Sequence, residues 1–249
     1  MKLTLSETSL LKDSIGIISE LVSEARFIAS QESFSLIALD PATVAMVDFK
    51  LLASAFTEYT VDKTEILAIN LMNLKQVLRR VGSTDTITLE TKEDRLEVTI
   101  KGSVTRTFNL PLIELDGEQK SVPDIKFSTT VTLFSQQLSN AIDDAHIVAE
   151  SIALVAQEKL LSVRAEGDLS KVTIDIPQDN DTKIVIQDGE ETPVIARYSI
   201  EYLKKMVSAG KIADKVTLHY KTNHPIKLEY RVLNKIHLGF ILAPRVDND

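Results

Sequence analysis

The sequence predicts an α+β protein of two similar domains, each an antiparallel sheet with two helices, joined by a linker. Three observations predict it. First, a helix followed by a hairpin occurs twice: Leu74-Lys75 corresponds to Leu203-Lys204, Asp85 to Asp214 and Thr88-Leu89 to Thr217-Leu218, all at an offset of 129. Second, the segment from Glu24 (EARFIASQE) matches the segment from Glu150 (ESIALVAQE) at an offset of 126. Third, the texture turns polar and acidic over 113–126, with Gly117 and Pro123, between two apolar halves of a 249-residue chain. The domains are therefore read as 1–112 and 127–249, with 113–126 as a linker draped on a surface through Ile113, Leu115 and Val122.

The elements follow in order. Lys2 to Leu5 alternate as a strand should, and 6–22 reads as a helix with Leu11, Ile15, Ile18 and Val22 on one stripe. Lys12, Gly16, Ser19 and Ser23 form the opposite stripe. Two strands over 25–39 turn at Gln31-Glu32-Ser33, and Asp40-Pro41 breaks the chain before a strand at 44–51. A connector over 53–64 leads through a short strand at 66–69 into a helix at 70–82. Strands follow at 86–90, 96–101 and 104–110. After the linker come a strand at 127–133 and a helix at 136–147, for which Ser135 is the expected N-cap. Further strands run to Ile176, and an acidic loop region over 179–192 surrounds one short strand. The second copy of the helix occupies 199–210, its hairpin follows, and the chain ends in a strand with a short acidic tail.

Composition sets limits. Hydrophobic residues make up 44%, enough for two cores, but aromatics are only 5% and Trp is absent, so the packing is aliphatic. The absence of Cys excludes disulfides, thiolate catalysis and Cys-bound metals. No apolar run reaches the roughly 18 residues of a membrane span, and MKLTLSETSLL has no signal-peptide pattern, so a soluble, intracellular protein is expected. A net charge of −8 argues against general nucleic-acid binding unless cations are segregated.

They are segregated. In the first repeated helix Leu74, Val77, Leu78 and Val81 take one side and Lys75, Arg79 and Arg80 the other. In the second, Leu203, Met206 and Val207 oppose Lys204, Ser208 and Lys211. This cationic surface reads as locally free of acids. Charged helix faces are usually no more than solvated, and Arg80 and Lys211 also sit where a cation meets a helix C-terminus.

Catalytic signals are weak. Asp143 and Asp144 diverge by about 100° on a helix, and His146 shares a face only with Asp143, so these three do not form a metal site or an acid–base pair. Neither a phosphate-cradling GxxxxGK[ST] loop nor a GxSxG elbow is present. No catalytic residue, metal or cofactor is expected.

The segment LIALDPATVAMVDF from Leu36, together with the LLKD of the first helix, LKQVLRR, the central linker and the terminal LAPR, resembles the proliferating cell nuclear antigen family of DNA sliding clamps, with archaeal members most alike. The resemblance spans essentially the whole chain. It implies a ring-forming clamp fold of three protomers around duplex DNA, a non-enzymatic processivity factor, and a cytoplasmic location at the archaeal nucleoid, or a nuclear one in a eukaryote. Implied partners are double-stranded DNA without sequence preference, and DNA polymerase, clamp loader, flap endonuclease and DNA ligase docking through short hydrophobic motifs. The trimer forms from copies of the chain or from paralogues.

Carried onto this sequence, the family pattern gives Lys12, Lys75, Arg79, Arg80, Lys204, Lys205 and Lys211 as the pore-lining DNA contacts. It gives Leu39, Val44, Met46, Val122, Pro123, Pro225, Ile241, Leu242, Ala243 and Pro244 as the partner-motif pocket. Subunits would join edge to edge through Thr107, Phe108 and Leu110 on one side and Val172, Ile174 and Ile176 on the other. Two departures stand out. Lys120 occupies a linker position that is often hydrophobic in the family, and the third helix presents Gln136, Asn140 and Asp143 where members commonly carry cations. The latter also fits an alternative, a heteromeric or checkpoint-type ring acting mainly as a protein scaffold.

Overall fold

A computed structural model describes residues 1–117 and 119–245; the acidic tail read at 246–249 lies outside them. The first half of the chain holds β1 (Lys2–Leu5), α1 (Ser9–Ile18), β2 (Glu24–Ala29), β3 (Ser33–Leu39), β4 (Ala45–Leu52), β5 (Glu58–Thr60), β6 (Glu65–Asn70), α2 (Leu71–Leu78), β7 (Thr86–Lys92), β8 (Arg95–Lys101) and β9 (Thr105–Pro111). The second half holds β10 (Thr129–Phe134), α3 (Ser135–His146), β11 (Ser151–Gln157), β12 (Leu160–Glu166), β13 (Lys171–Pro177), β14 (Lys183–Ile186), β15 (Val194–Ser199), α4 (Ile200–Val207), β16 (Lys215–Tyr220), β17 (Ile226–Val232) and β18 (Ile236–Leu242). Two compact units result. One combines Met1–Thr43, Val47–Val122 and Arg231–Leu238; the other is built mainly from Pro123–Tyr230, with Val44–Met46 and the chain from Gly239.

In the first unit a five-stranded antiparallel sheet runs β5-β1-β7-β8-β9, and β2 pairs with both β3 and β6. The connector expected over 53–64 is more ordered than its composition suggests: it contains a 3₁₀ turn at Ala53–Ala55 and then β5, whose Tyr59 pairs with Leu3. Alternation drives the sheet. Leu96, Val98 and Ile100 are fully buried along β8 while Glu97 and Thr99 face outward. Phe27 and Phe34 stack across the β2–β3 pair with centroids 4.6 Å apart.

The helix expected over 6–22 is shorter, because both ends tighten into turns. Leu10 N–H bonds Glu7 O at the start, and Glu20 N–H and Leu21 N–H bond Ile17 O and Ile18 O at the end, all three residues back. Its core stripe is as expected: Leu11, Ile15 and Ile18 are fully buried. The first repeated helix begins at Asn70, whose side chain accepts from Asn73 N–H at 3.0 Å.

In the second unit β13-β12-β11-β15 form one sheet, and β10 pairs with β14 and β16, which in turn pairs with β17. Ser135 is not the N-cap of α3. Phe134 holds that position, and its N–H bonds Gln137 Oε1 at 3.3 Å. The Ser135 hydroxyl is turned inward and donates to Ala213 O at 2.7 Å, while its N–H donates to Asp214 O at 2.7 Å. A buried hydroxyl needs a partner, and the returning chain supplies one. Leu138, Ile142, Leu203 and Met206 fill the interior between α3, α4 and the sheet.

The linker lies on the first unit. Ile113 N–H bonds Ala68 O at 3.0 Å, covering β6, and the Arg26 guanidinium donates to Leu115 O and Gly117 O. Among the described residues, no helix is long and apolar enough to cross a membrane.

Candidate nucleic-acid interface

Within the first unit α1 packs on α2, and within the second α3 packs on α4. Each pair buries its aliphatic stripes and leaves polar residues outside. Arg79, Arg80, Lys204 and Lys211 are exposed, whereas Lys12, Lys75 and Lys205 are half-buried.

The cationic surface is not free of acids, contrary to the reading of the sequence. Lys75 pairs with Glu20 at the end of α1. Lys204 Nζ lies 3.4 Å from Asp143 Oδ1 on α3, and Lys205 Nζ lies 2.9 Å from Glu201 one turn earlier. These acids sit on the neighbouring helix or turn, so a local count of charge along one helix does not reveal them. Arg79, Arg80 and Lys211 make no ion pair among the described residues.

Lys12 is held at the end of α2. Its ammonium donates to Val81 O at 3.0 Å. The Arg106 guanidinium, from β9, donates to Arg80 O at 2.9 Å. Both carbonyls lie just beyond α2, where helical bonding has run out, and a cation there also meets the negative end of the helix dipole. Arg106 reaches further, to Asp85 Oδ2 at 2.6 Å, and that same oxygen accepts from Gly82 N–H at 2.9 Å. Asp85 was visible as a repeated position; Arg106 carried no signal in the sequence.

The outward side of α3 carries no cation. Gln136 bonds Asn140 at 2.7 Å, and Asp143 holds Lys204. Among the described residues no group of three or more His, Asp or Glu gathers as metal ligands would.

β9 and β13 are each the last strand of their sheet, so each presents one row of backbone groups without a strand partner. Thr107 is exposed, Phe108, Leu110, Val172 and Ile174 are half-buried, and Ile176 is 7% exposed.

The residues expected to receive a partner motif divide. Leu242 is fully buried and Met46 is 8% exposed, so both serve the core and offer no docking surface. Val44, Pro225, Ile241, Ala243 and Pro244, all of the second unit, are half-buried, and Pro123 is exposed. Ala243 N–H bonds Val44 O at 2.9 Å, which holds these two at one place. Leu39 and Val122 of the first unit are half-buried.

Comparison with known proteins decides the family. The model of the proliferating cell nuclear antigen N-terminal domain matches residues 1–119, and that of its C-terminal domain matches 121–245. This chain belongs to the proliferating cell nuclear antigen family. The DNA polymerase sliding clamp of Nanoarchaeum equitans is 34% identical over 251 residues, covering 99% of this chain and 100% of that protein. The DNA polymerase sliding clamp of Pyrococcus horikoshii is 35% identical over 94% of this chain and 93% of its own. The crystal structure of the antigen from Thermococcus kodakaraensis superposes with a TM-score of 0.90 at 26% identity, covering 98% and 99% of the two chains. The resemblance drawn from the short motifs is therefore a true membership, and the clamp fold of two antiparallel domains holds along the chain.

Proposed function

We propose that this protein is a DNA sliding clamp: three copies close a ring around duplex DNA and tether a polymerase to its template. One observation carries the ring. Each unit ends a sheet in an edge strand of the same length that is paired on one side only, β9 on β8 and β13 on β12, seven residues apiece. Pairing β9 of one copy with β13 of the next satisfies both rows by β-augmentation and continues head to tail until the ring closes. The protomer is read as domains 1–112 and 127–249 with a linker between, although each compact unit also takes a short segment, Val44–Met46 or Arg231–Leu238, from the other half of the chain.

Arg79, Arg80 and Lys211, with Lys75, Lys204 and Lys205 in reserve behind their acids, are the DNA contacts. Partial neutralisation suits the task. Affinity for duplex DNA rises steeply with each phosphate contact, and a clamp that gripped phosphates firmly would not slide. The ring needs no catalysis, only encirclement. Val44, Pro225, Ile241, Ala243 and Pro244 are the contacts for the short hydrophobic motifs of polymerase, clamp loader, flap endonuclease and DNA ligase. An apolar anchor seated on such a surface is a usual hot-spot arrangement.

The cation-free side of α3 favours a second reading, in which this chain is one member of a heteromeric ring. Primer extension on a singly primed circular template tests the first. Stimulation by this chain alone is expected; no stimulation at any concentration contradicts it.

A further inference from the structure

The bond network around Arg106 joins two regions with separate tasks, the β9 edge and the turn that follows α2. Arg106 stands two residues into β9, opposite Ile100 on β8. Its two terminal nitrogens diverge, one to Arg80 O at 2.9 Å and one to Asp85 Oδ2 at 2.6 Å. The Asp85 carboxylate is 11% exposed and accepts from Gly82 N–H as well, so it closes the 82–85 turn from inside. Gly102, at the start of the β8–β9 turn, leaves room for that carboxylate: a Cβ there would lie 1.9 Å from Asp85 Oδ1. Gly102 therefore leaves the space that the Asp85 carboxylate fills between the edge strand and the turn.

The second unit does not repeat this arrangement. There the turn around Asp214 is held by Ser135, at the start of α3, through Asp214 O and Ala213 O. That support comes from the buried Ser135 at the start of α3, not from an edge strand. In the first unit, by contrast, a side chain of an edge strand reaches the segment that carries the exposed cations Arg79 and Arg80.

We infer that Arg106 is a positioning residue, a strut by which pairing of the β9 edge with another copy orders the α2 terminus and its arginines for DNA. The inference rests on the clamp reading for its consequence, but the strut itself is a property of the isolated unit. β9 is held by β8 on one side only, and a strand held on one side opens more readily than one held on both; opening would release the guanidinium from Arg80 O and Asp85. Once a second copy holds the strand, the guanidinium is fixed and the carbonyls beyond α2 are held. Encirclement and readiness for DNA are then linked in one device.

The experiment is amide hydrogen exchange over residues 79–85, with Arg106→Gln and Arg106→Lys beside the wild type, each at dilute and at assembling concentrations. For the wild type, exchange in this segment should slow on assembly. In Arg106→Gln it should be about tenfold faster than in the wild type under assembling conditions, with the β11–β12 amides unchanged as a control for folding. Arg106→Lys, which keeps the charge and loses the two-pronged reach, should fall between. In parallel, retention on closed circular DNA is measured at concentrations where the variant's mass equals the wild type's; a loss of retention at equal mass is expected for Arg106→Gln. Unchanged exchange over 79–85 in Arg106→Gln overturns the strut whatever the DNA assay gives. Failure of the wild type itself to stay on circular DNA counts against the clamp reading, while the exchange result still decides the strut.

Discussion

Lys204 on α4 stands 3.4 Å from Asp143 on α3, and Lys75 on α2 pairs with Glu20 in the turn after α1, so in each unit an acid on or just beyond one helix meets the repeated lysine of the other. The positions differ in sequence context, yet both place an acid beside the repeated lysine. The Lys204–Asp143 pair is at the surface, with Lys204 39% and Asp143 57% exposed, so its contribution to stability is small, whereas the Lys75 side chain is 12% exposed and its pair is more sheltered. Their effect is on the field at the helix face.

Removing the acids should therefore strengthen DNA binding. Glu20→Gln with Asp143→Asn frees two ammonium groups, with little cost in stability at the exposed Lys204 and the larger share of any cost at the sheltered Lys75. The slope of log affinity against log salt should steepen by up to about 0.9 for each phosphate newly met. Titrating closed circular DNA over a salt series reads this directly. An unchanged slope would show that neither lysine reaches the duplex.

Arg79→Ala with Arg80→Ala should act oppositely. Both side chains are exposed, and the bond from Arg106 goes to the Arg80 backbone, so folding should be unaffected. Primer-extension stimulation should fall and the salt slope should flatten by up to about 0.9 per lost phosphate contact. Full stimulation in this variant would move the DNA contacts elsewhere.

The C-terminal strand offers a paired test of core against surface. Leu242 is fully buried, so Leu242→Ala should cost about 2–5 kcal/mol in denaturant unfolding. Ile241→Asp, one residue away and half-buried, should lower stability less and should abolish binding of a short hydrophobic polymerase-type peptide measured by calorimetry. Equal loss of stability in both variants would mean that Ile241 is a core residue as well.

Four tyrosines make alkaline pH a probe of packing. Burial pushes Tyr59 up to about 12 from 10.0, and burial also raises Tyr198, Tyr220 and Tyr230 well above the usual range, with the neighbouring Tyr220 adding to the effect at Tyr198. A raised folded-state value means that the neutral phenol is favoured in the fold. The associated stability is whole below about pH 10 and is lost as pH climbs through the folded values, from about 12 for Tyr59 upward. The phenolate absorbance of these four, out of five tyrosines, should therefore stay low past pH 10 and rise together with loss of helical circular dichroism. Smooth ionisation near pH 10 with the fold intact would contradict the buried placement.

Much of the fold was legible because its signals are periodic. Leu11, Ile15 and Ile18 repeat at helical spacing, Leu96, Val98 and Ile100 alternate, and the shared Leu-Lys and Thr-Leu pairs align the two halves. What escaped are contacts between side chains far apart in sequence. Glu20 and Lys75 are 55 residues apart, Ser135 and Ala213 are 78 apart, and Arg106 and Asp85 are 21 apart. No local pattern encodes such meetings; the sheet register creates them. The same cause explains Leu242, whose alternation with Ile241 marks two faces of a strand without saying which faces the core.

Self-closure of the ring would pair the β9 edge of one copy of this chain with the β13 edge of the next. The chain's mass in solution, by light scattering over a concentration series, tests this most directly. A species of three 27.6 kDa chains is predicted, together with its loss when Ile174→Lys places a charge on the β13 edge. A mass that stays at 27.6 kDa across the series would contradict self-closure.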